Sequence, residues 1–170
     1  MADIVKDVVP VLPEHIHMIE PGEKVNTYDI VEIASLGLVY TTTVGLEMAM
    51  SGKPVIVTGD THYRGRGFTF DPDSWVSYYK TLGKILQKPK DQWLTDEQVE
   101  LAWRYAYTFF YEYPLPFPWH LVGLWDDVKI RPMSEVFSKH HYERYAPTFS
   151  YLTGKPIDWK SIVFSDKGNQ

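Results

Sequence analysis

An α/β fold built on a short parallel sheet is what this sequence predicts, and three observations predict it. Short apolar or β-branched runs recur in the first half, at "IHMIEP" (16–21), "LVYTT" (38–42) and "PVIVTG" (54–59). Between them lie amphipathic stretches with cap residues and glycine stops, "NTYDIVEIASLG" (26–37) and "GLEMAMSG" (45–52). Strand, helix, strand, helix, strand with links this short requires parallel strands joined by right-handed crossovers.

Each element has its own local reason. Residues 1–13 place Ile4, Val5, Val8 and Val9 near one face and end at Pro10 and Pro13, which reads as a brief helix. "IHMIEP" is a short apolar run closed by Pro21-Gly22, a buried strand followed by a turn. In the next stretch Asn26 or Thr27 can cap a helix whose Ile30, Val31, Ile33 and Ala34 face inward, with Gly37 as terminator. The second helix is about two turns long and stops at Gly52 before the third strand. "DTHYRGRGFTFDP" (60–72) is too polar and too broken for a buried strand. A helix from Ser74 puts Trp75, Tyr78, Leu82, Ile85 and Leu86 on one stripe. Another starts at Thr95, where Thr95 and Gln98 form a capping-box pair, and lines Val99, Ala102, Trp103, Ala106, Phe109 and Phe110 along its inner face, leaving Tyr107 and Tyr111 exposed. "YPLPFPWH" (113–120) breaks it, one more helix is expected over Ser134–Arg144, and the remainder reads as irregular chain.

Composition narrows the function classes. With 170 residues, 44% apolar and 23% charged, the chain is globular and about one domain long. A net charge of −5 without a basic block argues against nucleic acid, which needs clustered Lys and Arg against phosphate. The absence of cysteine removes disulfides, thiolate metal sites and thiol nucleophiles together, and fits a reducing cytosol. No apolar run approaches the ~20 residues of a membrane span. The expected location is cytoplasmic, with a peripheral place at the inner face of the cell membrane as the alternative. His15 and His17 lack a nearby carboxylate in sequence, His140 and His141 do not make an i, i+4 pair, and Asp126-Asp127 reads as a turn, so no metal site is expected.

The chemistry concentrates in "TTTVGLEMAMSGKPVIVTG" (41–59). In an open parallel sheet, ligands sit beyond the carboxyl ends of the strands, where Thr41, Thr42 and Thr43 are placed. The following helix directs its first unpaired N–H groups at that crevice, Gly45 leaves room for an anion, and Thr42 and Thr43 can cap the helix or donate to phosphate. Glu47, one turn in, can accept two hydrogen bonds from a vicinal diol such as ribose, or can serve only as a first-turn acid facing water. "HYRGRGFT" (62–69) follows the third strand at the same sheet edge. Arg64 and Arg66 can neutralise a phosphate and His62 and Tyr63 can touch ligand hydroxyls, or the loop is solvated and its charges serve solubility; Gly59, Gly65 and Gly67 are costly to order unless backbone must approach something.

The run from Asn26 to Pro72 resembles the capsule and surface polysaccharide biosynthesis proteins of bacteria, and "TVGLEMAMSGKPVI" (43–56) resembles the C-terminal domain of GT-B glycosyltransferases. The resemblance covers about residues 10–112. It implies a Rossmann-like three-layer α/β/α domain over 1–112, the C-terminal half of a GT-B fold and incomplete, followed by an aromatic, Pro-rich extension over 113–170 packing on it. It implies a nucleotide sugar of the uridine or cytidine type as substrate, with no separate cofactor: Thr42, Thr43 and Gly45 on its phosphates, Glu47 on its ribose, Asn26 and Thr27 near the base. Leu38, Val39 and Tyr40 stand where many retaining enzymes carry a second acid, so that sugar contact has no counterpart here. The resemblance further implies an N-terminal partner domain, outside this chain, that supplies the catalytic base, and uncovered sheet edges open to self-association. Two other readings compete: a non-catalytic scaffold of a polysaccharide-assembly complex, and a sugar-nucleotide epimerase-like domain.

Overall fold

The computed structural model describes residues 2–20, 22–89, 93–120 and 122–158. The fold is mixed α/β with a two-stranded parallel sheet, and the chain divides into two compact units, residues 1–102 and 103–170. No helix among the described residues is long and apolar enough to cross a membrane.

The first unit is organised around one crossover. Strand β1 (Gly37–Val39) pairs in parallel with β2 (Val55–Val57), Gly37 opposite Val55 and Val39 opposite Val57, and the connection is helix α3 (Val44–Met50). Three β-branched residues make β2 a natural strand, and all three are fully buried. They are buried because β2 is central: Phe70 pairs with Ile56 on its other side, its N–H donating to Val55 and its carbonyl accepting from Val57, both at 2.9 Å. β1 is an edge, and Leu38 on it is 55% exposed. Leu46, Met48 and Ala49 of α3 pack onto the sheet, with Tyr63, Phe68 and Ile85 completing the core of this unit. Gly37 leaves room there for the end of the Met48 side chain, whose sulfur would lie 2.7 Å from a Cβ at that position.

The first unit also contains helices α1 (Ala2–Val8), α2 (Thr27–Ile33) and α4 (Trp75–Leu86), and α5 (Asp96–Tyr107) begins in it. Asn26 caps α2 by accepting from the Tyr28 N–H at 3.0 Å. The other end of α2 is closed by Lys53, whose ammonium donates to the Glu32 and Ala34 carbonyls at 2.7 and 2.8 Å. A cation on the last carbonyls of a helix is doubly favoured, by hydrogen bonding and by the dipole. Ser74 and Ser77 build a capping box at the start of α4, and Thr95 and Gln98 build the expected one at the start of α5.

Several expectations are corrected. Residues 16–20 form no strand: Ile16 and Ile19 are 46% and 48% exposed, and no neighbouring strand pairs with them. Pro21, which closes that run, lies outside the described residues. On α4 only Ile85 is fully buried, while Trp75 and Leu86 of the predicted stripe face outward. Trp103 and Phe110, expected inside, are 56% and 51% exposed, whereas Tyr107 and Tyr111 are exposed as expected.

In the second unit α5 runs on into a π-helical turn (Thr108–Glu112), and "YPLPFPWH" ends it. The chain beyond is more helical than its composition suggests. Asp126 and Asp127, read as a turn, occupy the first turn of α6 (Leu124–Ile130), where carboxylates complement the helix dipole. The single helix expected over 134–144 is two, α7 (Met133–Val136) and α8 (Lys139–Leu152), and α8 continues through Pro147. Val136 and Tyr145 are buried here, and Phe137 stacks obliquely on Phe149 at 5.0 Å. Thr148 donates to the Pro116 carbonyl at 2.6 Å, and Trp119 donates to the Arg131 carbonyl at 2.8 Å.

Candidate functional site

The carboxyl ends of β1 and β2 lie side by side, tied by Thr58, whose N–H and hydroxyl both donate to the Val39 carbonyl at 2.9 and 3.2 Å. The segments leaving these ends, 40–43 and 58–62, therefore open on one edge of the sheet. Thr41, Thr42 and Thr43 are all exposed there. Thr42 Oγ1 accepts from the Val44 N–H at 3.3 Å, while Thr43, the N-cap residue of α3, makes no capping bond with its side chain. Its hydroxyl is available to another partner.

Glu47 sits in the first turn of α3 and is half-buried. Across from it is Tyr28 of α2. As hydrogen-bond acceptor and as a negative charge, the Glu47 carboxylate holds the Tyr28 phenol above its ordinary pKa. Asn26 and Thr27, both exposed, begin the same helix as Tyr28. A carboxylate offers about four lone-pair directions, so a phenol on one leaves room for a diol.

Gly45 has a different reason from the one its sequence context suggests. A Cβ there would lie 2.4 Å from the Tyr63 hydroxyl oxygen and 3.1 Å from Val39 Cγ2. The missing side chain accommodates Tyr63, a fully buried ring that donates to the Thr42 carbonyl and braces the turn leading into α3. Burial pushes the Tyr63 phenol up. Tyr63 thus shapes the floor of the crevice. Gly59 is bounded on the same principle: a Cβ would meet the Tyr40 carbonyl oxygen at 2.4 Å.

The loop 60–72 is stapled from within. The Arg64 guanidinium donates to the carbonyls of Val57, Gly59 and Pro72 at 3.1, 3.0 and 2.7 Å, so its planar fork fastens the loop to the end of β2. Asp71 accepts from the Gly65 N–H and from the Thr69 hydroxyl, each at 2.8 Å. Gly65 and Gly67 adopt left-handed backbone, φ 72° and 92°, which accounts for both glycines as turn residues. The Gly67 carbonyl accepts from Gln98 of α5 at 3.1 Å. His62 and Arg66 are exposed on this loop; partial burial beside the Tyr63 ring, 5.1 Å away and edge-on, pulls the His62 pKa down. The Thr61 hydroxyl is buried and has no hydrogen-bond partner among the described residues.

Next to this edge the structure adds a feature that the sequence reading passed over. A cavity of about 220 Å³ is lined by Thr58, Pro72, Asp73, Ser74, Trp75 and Tyr78. Its signal in the sequence is "DPDSWVSYY" (71–79), a turn and a serine cap followed by Trp75, Tyr78 and Tyr79, of which amphipathic counting placed Trp75 and Tyr78 on the inward stripe. Compared with family models, curated proteins and solved structures, the chain matches none.

Proposed function

We propose that the crevice at the carboxyl end of β1 binds a nucleotide sugar, and that the chain serves as the donor-binding part of a glycosyltransferase in surface-polysaccharide assembly. In this reading the β1–α3–β2 crossover belongs to a Rossmann-like layer of the GT-B kind. Glu47 takes the ribose diol, with Tyr28 holding its carboxylate in place. Thr41, Thr42 and Thr43 face the phosphates, Asn26 and Thr27 lie toward the base, and the exposed His62 and Arg66 border the sugar end. Tyr63, Arg64, Gly59 and Gly67 act one step back, by fixing the turn and the loop that shape the crevice. Gly45 belongs with them. These residues bind and orient a donor; no acid or base for transfer is assigned among them.

The observation that carries the reading is the half-buried Glu47 in the first turn of the helix after β1, its carboxylate acting on the Tyr28 phenol, close in sequence to the exposed Thr41, Thr42 and Thr43. A panel of uridine, cytidine, guanosine and adenosine diphosphates, followed by thermal unfolding, tests it. A pyrimidine-selective rise in Tm, reduced in Glu47→Ala, is expected. A flat response to all four nucleotides would remove the reading and favour the scaffold alternative.

A further inference from the structure

The second cleft, at the carboxyl end of β2, has a chemistry of its own. Trp75 and Tyr79 are 73% and 64% exposed, and their rings lie within 27° of parallel with centroids 6.1 Å apart. Tyr78 stands nearly perpendicular to Trp75, its centroid 5.7 Å away, and lines the cavity with it. Solitary exposed aromatics need no explanation, but a contiguous shelf at the mouth of a cavity does. A carboxylate borders the shelf: Asp73 accepts from the Ser77 hydroxyl through Oδ1 at 3.0 Å, which fixes its orientation and leaves acceptor capacity for a ligand.

What this cleft selects follows from its charge and its donors. At the start of α4 the Ser74 and Ser77 amides donate to each other's hydroxyls at 3.1 and 3.2 Å. With those two amides engaged and the Asp73 carboxylate at the rim, the cleft disfavours an anion. A fully apolar ligand would strand the carboxylate. A cation over one ring face beside Asp73 is the competing occupant, but the near-parallel Trp75 and Tyr79 rings, with Tyr78 edge-on to them at 81° and 80°, build no cage of converging faces for it. A neutral ring with an apolar C–H face and several hydroxyl donors matches on both sides: the face rests on the indole, and the hydroxyls donate to the carboxylate.

We propose that this cleft, with Trp75 as its stacking surface and Asp73 as its hydroxyl acceptor, is a binding site for a neutral pyranose unit of a saccharide. The site is built from residues separate from the Glu47 crevice and stands or falls independently of the nucleotide reading.

Saturation-transfer NMR on the full chain tests it, with methyl β-glucopyranoside, methyl β-galactopyranoside and the methyl glycoside of N-acetylglucosamine as probes. Tetramethylammonium chloride is run beside them. At least one pyranoside is expected to receive saturation on its ring C–H protons. Trp75→Ala abolishes the signal while circular dichroism and Tm stay unchanged, as suits an exposed ring, and Trp75→Phe keeps part of it. Asp73→Asn weakens binding about tenfold, the loss expected when a charge-assisted hydrogen bond becomes a neutral one. Saturation of no pyranoside, an undiminished signal in Trp75→Ala, or transfer to tetramethylammonium alone would each overturn the proposal.

Discussion

The Tyr28 phenol, on α2, faces the Glu47 carboxylate, on α3, and through that pair the helix before β1 is coupled to the helix after it. Because the carboxylate stabilises the protonated phenol, Tyr28 titrates above its ordinary value of 10.0 in the folded chain. A group whose pKa is raised on folding contributes stability that is complete below its unfolded pKa and fades as pH rises through the folded one. The window therefore lies above pH 10. Ultraviolet titration of the wild type against Glu47→Gln and Tyr28→Phe reads it directly: a phenol titrating above 10.0 is lost in Tyr28→Phe and moves down in Glu47→Gln. An unshifted titration curve in Glu47→Gln would separate the two residues.

Gly45 and Tyr63 make a steric pair. Gly45→Ala forces its Cβ against a buried hydroxyl that is itself hydrogen-bonded, and overpacking of this kind costs about 1–3 kcal/mol. Tyr63→Phe removes the atom in closest conflict. The double variant is expected to lose less stability than the two single losses added together, a favourable coupling that a denaturant-based double-mutant cycle measures. Strict additivity would place the conflict elsewhere.

Arg64 is expected to act on stability before it acts on any ligand. Three carbonyl partners depend on its guanidinium, so Arg64→Ala lowers unfolding stability by about 2 kcal/mol or more, and Arg64→Lys recovers only part because an ammonium cannot reproduce the planar fork. Chemical denaturation of the three proteins checks this. Arg66→Ala, on the exposed side of the same loop, leaves stability within about 0.5 kcal/mol.

His62 provides a second pH signature, of opposite sign to that of Tyr28. Partial burial depresses its pKa below 6.5, so the folded state favours neutral imidazole. Its contribution to stability is present above pH 6.5 and is lost as pH falls through the lowered value. Proton–carbon NMR of the imidazole is expected to give a midpoint below 6.5 for His62. A midpoint at or above that value would contradict the packing of its ring on Tyr63.

How much of this could be read from the residues depends on the range of the interaction involved. The β1–α3–β2 crossover was legible because its signals are local: β-branched Val55–Val57, a stop at Gly52 with φ 75°, and short links. Asn26 and the Thr95–Gln98 box declared themselves as caps for the same reason. Ile16–Glu20 misled because a short apolar run predicts a strand only if another strand is there to pair with it, and none is. Gly45 showed that a small residue was required but not which neighbour required it. Tyr63 lies a whole strand and turn further on, and its packing on Gly45 is a tertiary fact. Lys53 was equally silent: its bonds to the end of α2 span 21 and 19 residues. Glu47 and the three threonines are candidates by their position relative to a strand end, a local signal, whereas the cleft beside Trp75 and Asp73 depends on which side of α4 the fold leaves open. On that helix the stripe splits: Ile85 is buried while Trp75 and Leu86 at its ends are exposed.

The central claim is that Glu47 holds a ribose diol, and the most direct test is the affinity difference between uridine diphosphate and its 2′-deoxy analogue, measured by titration calorimetry on the wild type and on Glu47→Gln. The wild type is expected to prefer the ribonucleotide by about tenfold, the worth of one charge-assisted hydrogen bond, and Glu47→Gln to lose most of that preference. Equal affinity of the wild type for the two nucleotides, or a preference that survives unchanged in Glu47→Gln, would contradict it.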